Sequence, residues 1–149
     1  MNRSSSKKLV LTKEASERIA NTIQEAENRT SAEIKLVVIR HCWTDIKSKA
    51  AKIFKKYELG KTKQRNCVLV LLVTANREFL IYGDQGIHEK VGPDFWEDTS
   101  RLMMTRFKDG AFGDGICEAI KRVGEKLACH FAYQADDENE ISNEVVHED

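Results

Sequence analysis

The order of apolar patterns along the chain predicts an α/β fold: a small mixed β-sheet, two parallel strands plus an antiparallel hairpin partner, sandwiched between helices. Three observations predict it. Two runs, Glu33–Arg40 and Cys67–Thr74, are apolar at nearly every position, as strands covered on both faces are. Between them lies a helical stripe, Ile46, Ala50, Ile53, Phe54 and Tyr57, so the strand–helix–strand unit crosses over and its two strands run parallel. The turn Ala75-Asn76-Arg77 then sends Glu78–Tyr82 back as the antiparallel partner.

The remaining elements follow from local signals. Thr12 is a candidate N-cap for a first helix to Asn28, with Ala15, Ile19, Ile23 and Ala26 as its buried stripe. Asp45 caps the crossover helix and Gly60 ends the segment after it. Gly83-Asp84-Gln85-Gly86 reads as a turn. Pro93 opens a third helix over Asp94–Lys108. Lys108–Gly113 is a loop, and Asp114 caps a last helix from Gly115 to Phe131. The chain therefore divides into a flexible basic head (1–11), one α/β domain (12–133) and a disordered acidic tail (134–149).

Charge supports that division. The net charge is zero, from 24 basic and 24 acidic residues. Residues 134–149 hold seven acidic residues and no Lys or Arg, which leaves 24 basic against 17 acidic residues before them. A chain of 149 residues buries enough surface to fold without staples. Cys42, Cys67, Cys117 and Cys129 show no C-x-x-C spacing and read as buried free thiols. The longest apolar run, Cys67–Val73, is far short of the roughly 20 residues of a membrane span. With no signal-peptide pattern at the start, the chain reads as cytosolic and not membrane-embedded. Lys47, Lys49, Lys52, Lys55 and Lys56 share one helix, but no aromatic residue is interleaved to stack bases, so they read as a solvated face and no nucleic acid is expected.

The topology decides which loops share a site. The starts of the two parallel strands and the end of the third gather Thr30, Ser31, Glu33, Thr62, Arg65, Asn66, Gly83, Asp84 and Gly86 at one edge. Asp84, Asn66 and Glu33 are oxygen ligands of the kind a hard cation takes, Ca²⁺ or Mg²⁺. Arg65 is suited to a phosphate oxygen. The same residue types also serve as ordinary turn and capping chemistry. No P-loop, EF-hand, H-E-x-x-H, G-x-S-x-G or dinucleotide fingerprint occurs, so no organic cofactor is expected.

Ala26–Ile34, Thr62–Val70, Ile81–Ile87 and Phe107–Gly110 through Gly115-Ile116 together resemble the TPM domain family in order and spacing, over roughly residues 12–131. The resemblance implies an α/β sandwich. It associates acid phosphatase activity with a plant thylakoid-lumen member and calcium binding with some bacterial members, while other members look like accessory or interaction domains of membrane complexes. It also places a site where Arg65, Asn66 and Asp84 converge, with Glu33 and Asp114 nearby. One departure is Cys67, where family members commonly carry Gly. The expected function is a non-catalytic divalent-cation-binding or protein-interaction module with an unidentified protein partner. For either reading the metal-site residues are Asp84, Asn66, Glu33 and Asp114; the alternative is a metal-assisted acid phosphatase acting on phosphate monoesters, in which Asp84 holds the metal or acts as acid/base and Arg65 binds the phosphate.

Overall fold

The computed structural model describes residues 11–133 and 140–148. Its elements are α1 (Lys13–Glu27), β1 (Glu33–Ile39), α2 (Ile46–Lys56), a 3₁₀ turn (Leu59–Lys61), β2 (Cys67–Val73), β3 (Glu78–Gly83), α3 (Gln85–Val91), α4 (Glu97–Lys108), α5 (Phe112–His130) and β4 (Val146–Glu148). The sheet order is β3-β2-β1-β4. β1 and β2 pair parallel from Glu33↔Cys67 to Ile39↔Val73, and β3 returns antiparallel to β2 from Val73↔Glu78 to Val68↔Gly83. The mixed sheet expected from the sequence is therefore present.

Every residue of β1 and β2 is buried, because both faces are covered. Ile34, Leu36, Val38, Val68, Val70 and Leu72 join the core with Ile19 and Ile23 of α1, Met103 and Phe107 of α4, and Ile120, Val123 and Leu127 of α5. Val37, Ile39, Leu69, Leu71 and Val73 meet Ala50, Ile53 and Phe54 of α2 on the other face. Thr12 caps α1 by accepting from the Ala15 amide at 3.0 Å, and Asp45 caps α2 by accepting from Ser48 at 3.1 Å.

Five expectations need correction. Gly83–Gly86 is not a free turn: Asp84 N-caps α3, a seven-residue helix too short to show a periodic stripe and anchored by buried Ile87. The third helix accordingly starts at Glu97, and Pro93 lies in the connection before it. The last helix starts at Phe112 rather than after Asp114, because the Phe112 ring packs edge-on against Phe107 and draws the first turn inward. Only two of the cysteines are buried, Cys67 and Cys117; Cys42 is half-buried and Cys129 exposed.

The fifth correction concerns the tail. Residues 1–10 of the expected flexible head, and 134–139 and 149 of the expected disordered tail, lie outside the described residues. Residues 140–148, by contrast, are folded onto the sheet. β4 pairs parallel with β1 from Val37↔Val146 to Ile39↔Glu148, and Ile141 and Val146 pack on the α2-side core. The apolar residues among the acids supply the reason: they cover an otherwise open edge of a strand that is apolar on both faces.

Candidate functional site

The strand starts bring the predicted edge together. Residues 62–66 approach β2 through a tight turn in which the Arg65 amide donates to the Thr62 carbonyl and Arg65 takes a left-handed φ of 52°. The Gly86 amide donates to the Arg65 carbonyl at 2.8 Å. A Cβ at Gly86 would lie 2.3 Å from the Gln64 carbonyl oxygen and 2.6 Å from that of Arg65, so glycine is what lets α3 dock against this turn.

That docking sets a bidentate pair. Arg65 Nε donates to Asp84 Oδ2 at 2.9 Å and Nη2 donates to Oδ1 at 3.0 Å. The Gln85 amide donates to the same Oδ1 at 2.7 Å, so Asp84 serves as helix cap and ion-pair partner together. Asp84 is buried, whereas half of the Arg65 side chain stays exposed. The hydrogen bond from Arg65 to Asp84, and then their charge attraction, push the guanidinium pKa further up.

The other predicted residues lie around this pair with partners of their own. Asn66 is buried; its side-chain amide donates to Ser31 Oγ at 3.5 Å and its backbone amide to Thr62 Oγ1 at 3.2 Å. Glu33 accepts from the Ile141 amide at 2.9 Å. Asp114 does not join them. It stands in the first turn of α5, exposed and paired with Arg18. The opposite end of that 19-residue helix, some 24 Å away at 1.5 Å per residue, is the end beside Thr30 and Ser31, where both residues bond to the Phe131 carbonyl.

Glu27 belongs to the same edge, although nothing in its local sequence except its spacing marks it as a site residue. Its Oε2 accepts from the Ile34 amide at 2.7 Å, on the stretch of β1 that precedes the pairing with β4. Its Oε1 is buried with no hydrogen-bond partner. Burial first, and then the neighbouring Glu33 charge, push its carboxyl up to about 8 against the opposing bond from Ile34. The available signal was its spacing: Glu27 follows Ile19 and Ile23 at intervals of four, on the buried stripe. Burial likewise raises the Cys67 thiol, reinforced by Glu33, Glu27 and Asp84. Lys35 donates to the carbonyls of Ser142 at 3.0 Å and Glu144 at 2.9 Å, and burial lowers its pKa.

A metal demands more than the edge offers as it stands. Asp84 already accepts three hydrogen bonds, two of them from a cation, and Asn66 and Glu33 bond elsewhere. Among the described residues no group of three or more His, Cys, Asp or Glu is placed to hold a metal ion. What the edge does present is a cleft of about 720 Å³ beside Arg65, between α2 and the β3–α3 junction. Phe54 and Tyr82, with ring centroids 5.3 Å apart, form its apolar wall. Lys55, Lys61, Arg65 and His88 line it together with Glu58 and Asp84.

The fold and these stretches have counterparts. A family model described as the TPM domain matches residues 5–126. The chain belongs to the TPM domain family. Among solved structures, the NMR structure of the BA42 protein from the psychrophilic bacterium Bizionia argentinensis is similar to this TPM chain at 32% identity and a TM-score of 0.88. That likeness covers 94% of this chain and 97% of BA42. A search of curated proteins finds no match. Among the described residues, no helix of this TPM domain is long and apolar enough to cross a membrane.

Proposed function

We propose that this TPM domain is a non-catalytic binding module, and that the cleft beside Arg65 takes an oxyanion carried on an apolar or aromatic body, such as an aryl phosphate or a phosphorylated segment of a protein partner. One observation carries the reading: the half-exposed Arg65 guanidinium is locked by a buried carboxylate at the mouth of the cleft. Arg has five N–H donors. The Nε–Nη2 edge is held by Asp84, and the remaining donors serve a ligand in a fixed direction. Phe54 and Tyr82 offer the body of the ligand an apolar wall, while Lys55 adds positive charge and the Lys61 ammonium is paired with Glu58.

The expected cation site draws on the same residues with the opposite charge logic. Ca²⁺ or Mg²⁺ on Asp84 has to displace Arg65 first. A metal-assisted phosphatase needs that displacement too, together with a metal-bound water to attack phosphorus. Amide NMR titrations separate the three. Phenyl phosphate is expected to shift Gly83–Gln85, Lys61 and Arg65 in the wild type and to leave Arg65→Ala unmoved. Shifts at Asn66 and Asp84 in millimolar Ca²⁺, with none from the phosphate ester, would reverse the assignment. Turnover of a phosphate monoester that Asp84→Ala abolishes would make the domain an enzyme.

A further inference from the structure

The opposite end of the sheet carries a second arrangement. The loop Arg40–Asp45 leaves the carboxyl end of β1 and enters α2. Open α/β sheets characteristically bind ligands outside the carboxyl ends of their strands. Within this loop the Trp43 indole is 86% exposed and stacks on the His41 ring, with centroids 4.9 Å apart and planes within 19°. Cys42 Sγ donates to the Thr44 carbonyl at 3.1 Å, bracing the turn that holds the two rings parallel. A concavity of about 370 Å³ opens beside them, walled by Arg40, Thr44, Lys49 and Lys52.

The geometry points to a nucleotide site here: a base stacked on the open face of Trp43, with its phosphate held by Arg40, Lys49 and Lys52. The volume is at the lower end of small-ligand sites, as one nucleotide requires. Aromatic stacking accepts any base because every base has a π-face. The cations are available to an anion. None of Arg40, Lys49 and Lys52 makes an ion pair among the described residues. The nearby Asp45 carboxylate is engaged by the amide and hydroxyl of Ser48. Glu148 senses Lys49, but its carboxylate is held by Lys56 and Tyr57. The lysine helix thus does have an aromatic partner, supplied by the preceding loop rather than by its own sequence. A lipid surface is the poorer occupant, because the indole is ringed by charged and hydroxyl side chains rather than by a continuous apolar patch.

Trp43 fluorescence reads the site directly, since the other tryptophan, Trp96, is buried. Adenosine monophosphate is expected to quench the emission saturably at low salt. Calorimetry should show binding about tenfold weaker in Trp43→Ala, as loss of one stacking partner implies, and partly restored in Trp43→Phe. Lys49→Ala with Lys52→Ala should weaken binding and flatten its salt dependence. Trp43 is exposed, so its replacement leaves the fold intact. A short single-stranded oligonucleotide distinguishes the sources. A steeper salt slope than the mononucleotide identifies a strand, and equal affinity per nucleotide identifies the free nucleotide; both uphold the site. It is overturned if adenosine binds as tightly as its monophosphate, or if anionic vesicles quench Trp43 and nucleotides do not. Affinity unchanged in Trp43→Ala but lost in Arg65→Ala would also overturn it, by placing the ligand in the other cleft.

Discussion

Replacing Glu27 by Gln should make this protein more stable at neutral pH and remove most of the pH dependence of its stability between pH 5 and 7. Glu27 is buried, with one oxygen on the Ile34 amide and the other without a partner. Its pKa rises from 4.5 to about 8 on folding. The folded state therefore holds the proton across the window in which the unfolded chain releases it. A raised carboxyl favours folding fully below the unfolded value, and that advantage is lost as pH rises toward the folded value. Across the whole window the loss approaches about 5 kcal/mol at 1.36 kcal/mol per pH unit, of which about 2.5 kcal/mol falls between pH 5 and 7. Gln keeps an acceptor for the Ile34 amide and cannot ionise. Urea unfolding at pH 5, 6, 7 and 8 gives the wild-type-minus-variant difference. Lys35, whose lowered pKa acts with the opposite sign on the alkaline side, is present in both proteins. A difference that stays constant from pH 5 to 7 would refute the burial argument, as would a variant less stable than wild type at pH 7.

Three further outcomes follow from the fold. Asp84→Ala removes the N-cap of α3 and should lower stability by about 1 kcal/mol, with faster hydrogen exchange confined at first to residues 85–91. Gly86→Ala drives a Cβ into the carbonyls of Gln64 and Arg65. It should cost about 1–3 kcal/mol in urea unfolding, as overpacking does, and weaken oxyanion binding by shifting Arg65. Truncation after residue 139 removes Ile141, Val145 and Val146, each partly buried against the core. It should cost about 2–4 kcal/mol by area burial and raise the exchange rate of the β1 amides over Val37–Ile39; unchanged exchange there would mean that β4 does not pair in solution.

The elements legible in the sequence are those that declare themselves locally. β1 and β2 are apolar throughout, and the caps Thr12 and Asp45 stand one residue before the helices they start. What escaped depends on distant partners. β4 is three residues long, and Val146 means strand only because Val37 waits more than a hundred residues earlier with an open edge. α3 forms because Asp84 caps it and Gly86 allows it to dock on Arg65, and neither fact is visible in a periodicity. The family resemblance placed Asp114 near the site, but the length and direction of α5 put it at the far end.

The candidate edge shows where residue type stops being informative. Asp84, Asn66, Glu33 and Arg65 were each readable as site residues, and the topology does gather four of the five residues proposed. Their chemistry, however, is decided by pairing. An Asp with open lone pairs attracts a cation; an Asp that grips both nitrogens of a guanidinium edge becomes the anchor of one. Burial of Asp84 strengthens this, because the carboxylate is costly to leave unpaired there. The charge that remains half-exposed is Arg65's, and it faces a cleft with Lys55, a Lys61–Glu58 ion pair and an apolar wall. The sign of the ligand at this edge thus follows from the bidentate geometry, not from the count of acidic residues around it.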